Sequence, residues 1–137
     1  MIAFFDTNIY VDYLRGVMPA QMYLRYFSVY VMRMCPVVYH ELLRGICSSA
    51  VEKKVKTLGE KIVFLPPPTT KMWADAGEII SMLQPHAKEK TMEQVQNDVL
   101  IALTARYSGA TLITRDADFE KLQRFLQFSF IMHPSDI

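Results

Sequence analysis

The sequence has few of the residues that mark several common classes of protein. It contains only two cysteines, Cys35 and Cys47, in 137 residues, which excludes a multi-disulfide framework and a cysteine-based zinc site. We expect both thiols to be reduced and to lie in or near the core. No apolar run reaches the length of a membrane span. The short apolar start lacks the flanks of a signal peptide, so we expect a cytoplasmic protein with no membrane partner.

The sequence also has no large excess of positive or negative charge. The formal net charge is +1, so bulk charge does not predict nucleic-acid binding, although a local basic rim around an acidic site is compatible with it. The sequence has no G-x-x-x-x-G-K-[ST] phosphate loop and no G-x-S-x-G elbow. Its three histidines, His40, His86 and His133, are scattered, and we assign none of them a role.

The order of apolar and amphipathic segments predicts an α/β fold in one domain, residues 1–137. Predicted strands cover 2–5, 29–32, 62–65, 111–113 and 128–131. Predicted helices cover 8–14, 20–27, 36–46, 51–58, 70–83, 92–107 and 119–125, with a polar loop at 85–90. Such alternation predicts a central, mostly parallel sheet with helices on both faces.

Acidic residues follow two of the predicted strands. Asp6 comes at the end of the first strand, and Asp116 and Asp118 follow the strand at 111–113. Because ligands of open α/β sheets bind outside the carboxyl ends of the strands, we expect these carboxylates to meet at one edge of the sheet.

Two further acids interrupt apolar helices. Asp98 lies in a helix that is apolar almost all round, and Ile101 and Ala102 share its face. Glu41 lies one turn after Val37 and Val38 on a shorter helix. Burying an unpaired carboxylate lowers the stability of the fold by several kcal/mol, roughly as burial of other unpaired polar groups does. The carboxylate avoids this cost if it takes up a proton or binds a cation.

Clustered carboxylates repel one another unless a cation lies among them. Oxygen ligands suit Mg²⁺ or Mn²⁺. Such an ion lowers the pKa of a water ligand and offsets charge on a phosphate, which is the chemistry of phosphodiester hydrolysis. Whether one or two ions bind stays open.

Each acid also has a structural explanation. Asp6 is suited to cap the helix that follows it, and Asp116 or Asp118 to cap the helix at Phe119. Glu41 is placed to pair with Arg44, three residues on. Asp98 is the hardest of the acids to explain by structure alone.

Four segments, in this order, resemble the motifs of the PIN domain family, and in particular of VapC-type toxins of toxin–antitoxin pairs. The first is 4–14, an apolar strand followed by Asp-Thr-Asn and an apolar helix. The second is 38–45, an acidic residue followed by leucines and Arg-Gly. The third is 97–105, an Asn-Asp pair opening an apolar stretch, and the fourth is 111–119, which ends in Asp-Ala-Asp-Phe. The resemblance covers nearly the whole chain.

The resemblance implies a Mg²⁺- or Mn²⁺-dependent endoribonuclease. Asp6, Glu41 and Asp98 match the three core acids of the family. Asp116 matches the fourth metal-binding acid, and Asp118 is a neighbouring catalytic candidate. Three polar positions match groups that orient water at the metal, or else serve only in caps and turns: Thr7, Asn8 and Thr114.

The resemblance also implies an RNA substrate, a protein antitoxin and a homodimer or toxin–antitoxin hetero-oligomer. A Met- and Tyr-rich stretch suits an adaptable groove for an apolar partner, or else belongs to the core: Met18, Met22, Tyr23, Tyr26, Phe27, Tyr30, Met32 and Met34. Basic side chains are candidates to line an RNA path, or else are solvated charges: Arg15, Arg44, Lys53, Lys54 and Arg115.

Two other functions stay open. The chain could be a catalytically weak binding module that acts through an antitoxin in a DNA-bound complex. It could also be another phosphoryl-transfer enzyme, such as a haloacid-dehalogenase-like phosphatase. That family needs a second Asp two residues after its nucleophile, and Asn8 occupies the position.

Overall fold

The computed structural model describes residues 1–83 and 89–133. Its sheet has four strands: β1 (Ile2–Phe5), β2 (Val31–Arg33), β3 (Thr111–Thr114) and β4 (Ser129–Met132). The strand order is β2-β1-β3-β4, and every neighbouring pair is parallel. The predicted α/β fold with a parallel sheet is confirmed.

The described residues form seven helices: α1 (Thr7–Leu14), α2 (Ala20–Val29), α3 (Pro36–Arg44), α4 (Ser49–Lys61), α5 (Thr70–Leu83), α6 (Met92–Ser108) and α7 (Asp118–Leu122). Ala3, Phe4 and Phe5 are consecutive in β1 and all fully buried. Because successive strand residues point to opposite faces, both faces of the sheet are covered.

Helix α6 is the central helix of the fold, in contact with β3, β4, α3, α5 and α7. Thr91 and Gln94 form a capping box at its start, and Gly109 ends it with a φ of 60°. Val99, Ile101 and Ala102 are fully buried. The prediction of a mostly buried helix around Asp98 is therefore confirmed.

Several predicted boundaries are wrong. Val29 completes α2, so the strand predicted at 29–32 is displaced to Val31–Arg33. The segment 62–65 makes only an isolated parallel bridge between Met34 and Phe64, because the prolines at 66–68 have no N–H to extend a ladder. Helix α3 ends at Arg44 rather than at residue 46, α4 covers more than the predicted 51–58, and α7 stops at Leu122.

The two cysteines differ in environment. Cys35 is buried, as expected, but Cys47 is exposed, which corrects the expectation for that thiol. Most of the predicted polar loop at 85–90, including His86, lies outside the described residues. No helix among the described ranges is both long and apolar enough to cross a bilayer.

Candidate metal and nuclease site

Asp6 lies where β1 ends and caps helix α1. Its Oδ1 accepts a 2.8 Å hydrogen bond from the backbone N–H of Thr7. Its Oδ2 accepts from the Thr114 hydroxyl at 2.7 Å and from Nδ2 of Asn8 at 3.2 Å. Asp6 therefore caps α1, as its structural explanation predicted, and its other carboxylate oxygen also binds Thr114 at the end of β3. Burial raises the pKa of Asp6 to about 6, and repulsion from the nearby Glu41 and Asp116 adds to the rise.

Glu41 is held by side chains from two other helices. Its Oε1 accepts a 2.7 Å hydrogen bond from the Thr7 hydroxyl, and its Oε2 accepts from Nδ2 of Asn97 at 3.3 Å. The alternative pairing with Arg44 is not found, because Arg44 pairs with Glu93 instead. Glu41 is thus positioned beside Asp6, with Thr7 hydrogen-bonded to both.

The turn after β3 orders the next two acids. The backbone N–H of Asp116 donates to the Thr114 hydroxyl at 3.0 Å, and Asp116 Oδ1 accepts from the backbone N–H of Asp118 at 2.9 Å. The N-cap residue of α7 is Ala117, and no side chain caps this helix, so the capping alternative for Asp116 and Asp118 is not found; Asp116 instead accepts from the first residue of the helix. The side chain of Asp118 is 40% exposed against 28% for Asp116, so Asp118 lies farther out.

Lys90 joins the remaining acid to these two. Its Nζ lies 2.5 Å from Asp98 Oδ2, 2.7 Å from Asp116 Oδ2 and 3.0 Å from Asp118 Oδ2. A single ammonium group thus bridges Asp98 and Asp116. Burial raises the pKa of Asp98 to about 7, and repulsion from Asp6 and Asp116 adds to this, against the opposing effect of Lys90. Burial tends to lower the pKa of Lys90, but its hydrogen bonds to Asp116 and Asp98 more than offset this and raise it.

The acids line two clefts. A cleft of about 330 Å³ is lined by residues that include Asp6, Glu41 and Asp116. A second cleft of about 450 Å³ includes Asp98, Asp118 and Lys90 itself. Lys90 lines the second cleft, and its ammonium also contacts Asp116, which lines the first.

The chemistry of these donors fits a hard divalent cation. The four acids are carboxylates, two of them have raised pKa values, and a cationic side chain already lies among them. Within 1–83 and 89–133, no group of three His, Cys, Asp or Glu is placed to share one ion. Carboxylate oxygens are the ligand type that Mg²⁺ and Mn²⁺ prefer. In this structure, however, the oxygens of Asp98, Asp116 and Asp118 are arranged around the Lys90 ammonium.

The polar residues singled out in the sequence all contact carboxylates. Thr7 donates to Glu41, and Asn8 and Thr114 donate to Asp6. Sequence reasoning missed Asn97, although a second polar residue beside Asp98 in an apolar helix is a usable signal. It also missed Lys90, which looks like any solvated lysine in a polar loop.

The Met- and Tyr-rich stretch belongs mainly to the core. Met18, Tyr23, Met32 and Met34 are buried, which disfavours a groove made of these side chains. Exposed apolar positions on α2 do exist nearby, at Leu24, Phe27 and Val29.

The chain matches one protein family along most of its length. The family model described as "PIN domain" matches residues 3–124. No curated protein sequence matches the chain.

Solved structures with the same fold include VapBC2, VapBC-1 and FitAcB. A chain of VapBC2 from Rickettsia felis, bound to a DNA fragment from its promoter, superposes with a TM-score of 0.75 at 18% identity, covering 98% of this chain and 100% of that one. For VapBC-1 from nontypeable Haemophilus influenzae the TM-score is 0.68 at 23% identity, with coverages of 96% and 98%. For FitAcB from Neisseria gonorrhoeae it is 0.64 at 19% identity, with full coverage of both chains (100% and 100%).

Proposed function

Because the chain belongs to the PIN domain family, we propose that it is the toxin of a VapC-type toxin–antitoxin pair and an endoribonuclease that depends on Mg²⁺ or Mn²⁺. The observation that supports the proposal is that acids from distant segments are joined in one network, in which Lys90 or a threonine lies between neighbouring carboxylates. Asp98 and Asp116 share the Lys90 ammonium. Asp6 is linked to Asp116 through the Thr114 hydroxyl, and to Glu41 through Thr7.

The residues that would hold the metal are Asp6, Glu41, Asp98 and Asp116. A divalent ion bound there supplies a water ligand of lowered pKa and offsets the negative charge that builds on the scissile phosphate. Asp118, more exposed and bonded to Lys90 and Lys121, would act at the outer edge of the site. This ranks Asp116 above Asp118 as the fourth acid.

The neighbouring polar side chains would keep the carboxylates in place. Thr114 donates to Asp6, and its oxygen also accepts from the backbone of Asp116, so one hydroxyl orients two acids. Asn97 and Thr7 each hold one oxygen of Glu41. Fixed carboxylates need no rearrangement during the reaction, and this preorganisation is where much of the rate enhancement of an enzyme comes from.

RNA would enter along the basic rim of the smaller cleft. Arg15 and Arg115 line this cleft together with the acids. Arg115 is fixed by Asp12, with its Nε 2.6 Å from Asp12 Oδ2. Phosphate contacts from such groups position a nucleic acid without reading its sequence.

An antitoxin partner is proposed from the complexes in which similar folds are found, VapBC2 and VapBC-1 among them. The exposed apolar side chains Leu24, Phe27 and Val29 on α2 offer a surface for such a protein or for a second copy of the chain. Native mass spectrometry of the chain, alone and co-expressed with the product of an adjacent short gene, tests both. A monomer that captures no such product contradicts this part of the proposal.

The cleavage proposal is tested with purified protein and total RNA. We expect cleavage with Mn²⁺, none with EDTA, and loss of at least about 100-fold in rate for Asp98→Asn, the size of effect that a residue essential to the reacting centre has. The matched control is Asp75→Asn, on α5, whose carboxylate pairs with Lys71 and lines neither acidic cleft. Undiminished cleavage by Asp98→Asn, or cleavage in EDTA, contradicts the mechanism. A folded protein that binds no metal and cuts no RNA favours the binding module.

A further inference from the structure

Lys90 is tied to the helix that carries Asp98. It directly precedes Thr91, whose hydroxyl accepts from the backbone N–H of Gln94 at 3.2 Å and whose own N–H donates to the Gln94 side chain at 3.0 Å. This capping box fixes the backbone next to Lys90 against the first turn of α6. The backbone of Lys90 is therefore held in place, and its side chain extends from there to Asp98 on α6.

The three carboxylate contacts of Lys90 use the full donor capacity of its ammonium. A lysine side chain offers three N–H groups, and here Asp98, Asp116 and Asp118 each lie within 3.0 Å of Nζ. Two of these acids, Asp98 and Asp116, are the ones proposed to hold the metal. A divalent ion bound to the same oxygens would be strongly repelled by an ammonium that stayed in place.

We propose that Lys90 is an internal competitor for the metal ion, which holds Asp98 and Asp116 together in the metal-free protein and must leave them when the ion binds. This inference rests on the proposed function, because it concerns the same site. Lys90 thereby offsets the repulsion among the acids without metal, and it lowers the affinity of the site for the ion. The displaced side chain would have space in the larger cleft, which Lys90 itself lines.

The direct test is Mn²⁺ binding by calorimetry to protein stripped of metal. We expect Lys90→Gln to bind Mn²⁺ at least about tenfold more tightly than the wild type, a change that corresponds to about 1.4 kcal/mol. Lys121→Gln is the matched control. It removes the same charge, but Lys121 contacts Asp118 alone, at 3.5 Å, and its side chain is 74% exposed. We expect the control to change the affinity by less than about twofold.

Thermal stability gives a second readout that needs no enzymatic activity. In EDTA, Lys90→Gln should melt at a lower temperature than the wild type, because its acids have lost their cation. Added Mn²⁺ should then raise the melting temperature of Lys90→Gln by more than it raises that of the wild type. An equal or smaller rise overturns the inference.

The outcomes separate the inference from the proposed function. If the wild type binds Mn²⁺ and Lys90→Gln binds it no more tightly, Lys90 is not a competitor, although the metal site stands. If neither protein binds Mn²⁺ and the wild type cuts no RNA, both proposals fail. Should Lys90→Gln not fold, Lys90→Arg keeps the charge and must bind Mn²⁺ no more tightly than the wild type; tighter binding overturns the inference.

Discussion

The Thr114 hydroxyl donates a 2.7 Å hydrogen bond to Asp6 across 108 positions of the chain. The bond joins the ends of β1 and β3, which are neighbours in the sheet. The same hydroxyl oxygen accepts from the backbone N–H of Asp116 at 3.0 Å. One side chain therefore sets the relative position of two acids that the fold brings from opposite ends of the sequence.

Thr114→Val should reduce RNA cleavage by at least about tenfold, because Asp6 and Asp116 lose their common partner and misplaced catalytic groups are costly. The expected loss in free energy of unfolding is about 1 kcal/mol, as for one hydrogen bond. Single-turnover cleavage and urea unfolding measure the two effects.

Thr111→Val is the control for this substitution. Thr111 lies on the same strand, and its hydroxyl pairs with Ser129 at 3.0 Å, away from the acids. It should show a similar stability cost with cleavage unchanged. Equal losses of cleavage in the two variants would mean that Thr114 acts only through the stability of β3.

The stabilisation by metal should grow with pH. Burial raises the pKa of Asp6 to about 6 and that of Asp98 to about 7. Below a pH near 3.8, the pKa of these groups in the unfolded chain, both carboxyls are protonated in both states and do not destabilise the fold. Without metal, their contribution to stability is lost as the pH rises through about 6 to 7, where they ionise in the folded state.

A divalent ion removes this loss, because it binds the ionised carboxylates. The rise in melting temperature on adding saturating Mn²⁺ should therefore be larger at about pH 8 than at about pH 5. Taking the difference with and without metal cancels groups remote from the site, such as His133. A rise that is the same at both pH values would show that these carboxyls do not titrate with the metal.

The sequence predicted a parallel sheet and drew attention to the acids, because both leave strong local signals; the role of the acids in metal binding stays a prediction. Asp98 interrupts a helix whose other faces are buried, and the short apolar runs of β1 and β3 each end at a polar residue. The sequence could not predict Lys90 as part of the site, since nothing local distinguishes it. Its contacts with three acids exist only after α6 and the turn following β3 have packed.

Strand positions were harder to predict where two structures compete for the same residues. Val29 suits a strand as well as the last turn of a helix, and in the structure it completes α2. The segment 62–65 has the composition of a strand. However, it meets only the end of β2, through a bridge between Met34 and Phe64, before the prolines stop it.

Arg15→Gln should weaken RNA binding while leaving the chemical step nearly intact. Arg15 is exposed and lines the cleft that contains Asp6 and Glu41, so it is placed to contact a phosphate. We expect KM to rise by a few-fold, roughly the effect of one phosphate contact, with little change in kcat. Arg25→Gln, on α2 and outside that cleft, should leave both constants unchanged. A fall in kcat alone would contradict this role.

Gly109→Ala should destabilise the protein by about 1 kcal/mol, because its φ of 60° is unfavourable for a residue with a Cβ. Apart from the two residues next to it in the chain, no atom lies within 4 Å of the added Cβ, so the cost is conformational rather than steric. Gly45→Ala is the control. Gly45 also ends a helix, but its φ is −86°, and the substitution should be neutral or slightly stabilising. Chemical denaturation of both variants measures the difference, and equal stabilities would contradict it.

The most direct test of the acidic site is a crystal structure with Mn²⁺, in which anomalous scattering locates the ion. We predict a peak within about 2.5 Å of oxygens from Asp6, Glu41, Asp98 or Asp116, a distance typical of oxygen ligands to a hard cation, with the Lys90 ammonium moved away. A structure in which Lys90 stays between Asp98 and Asp116, with no ion among the four acids, would contradict it.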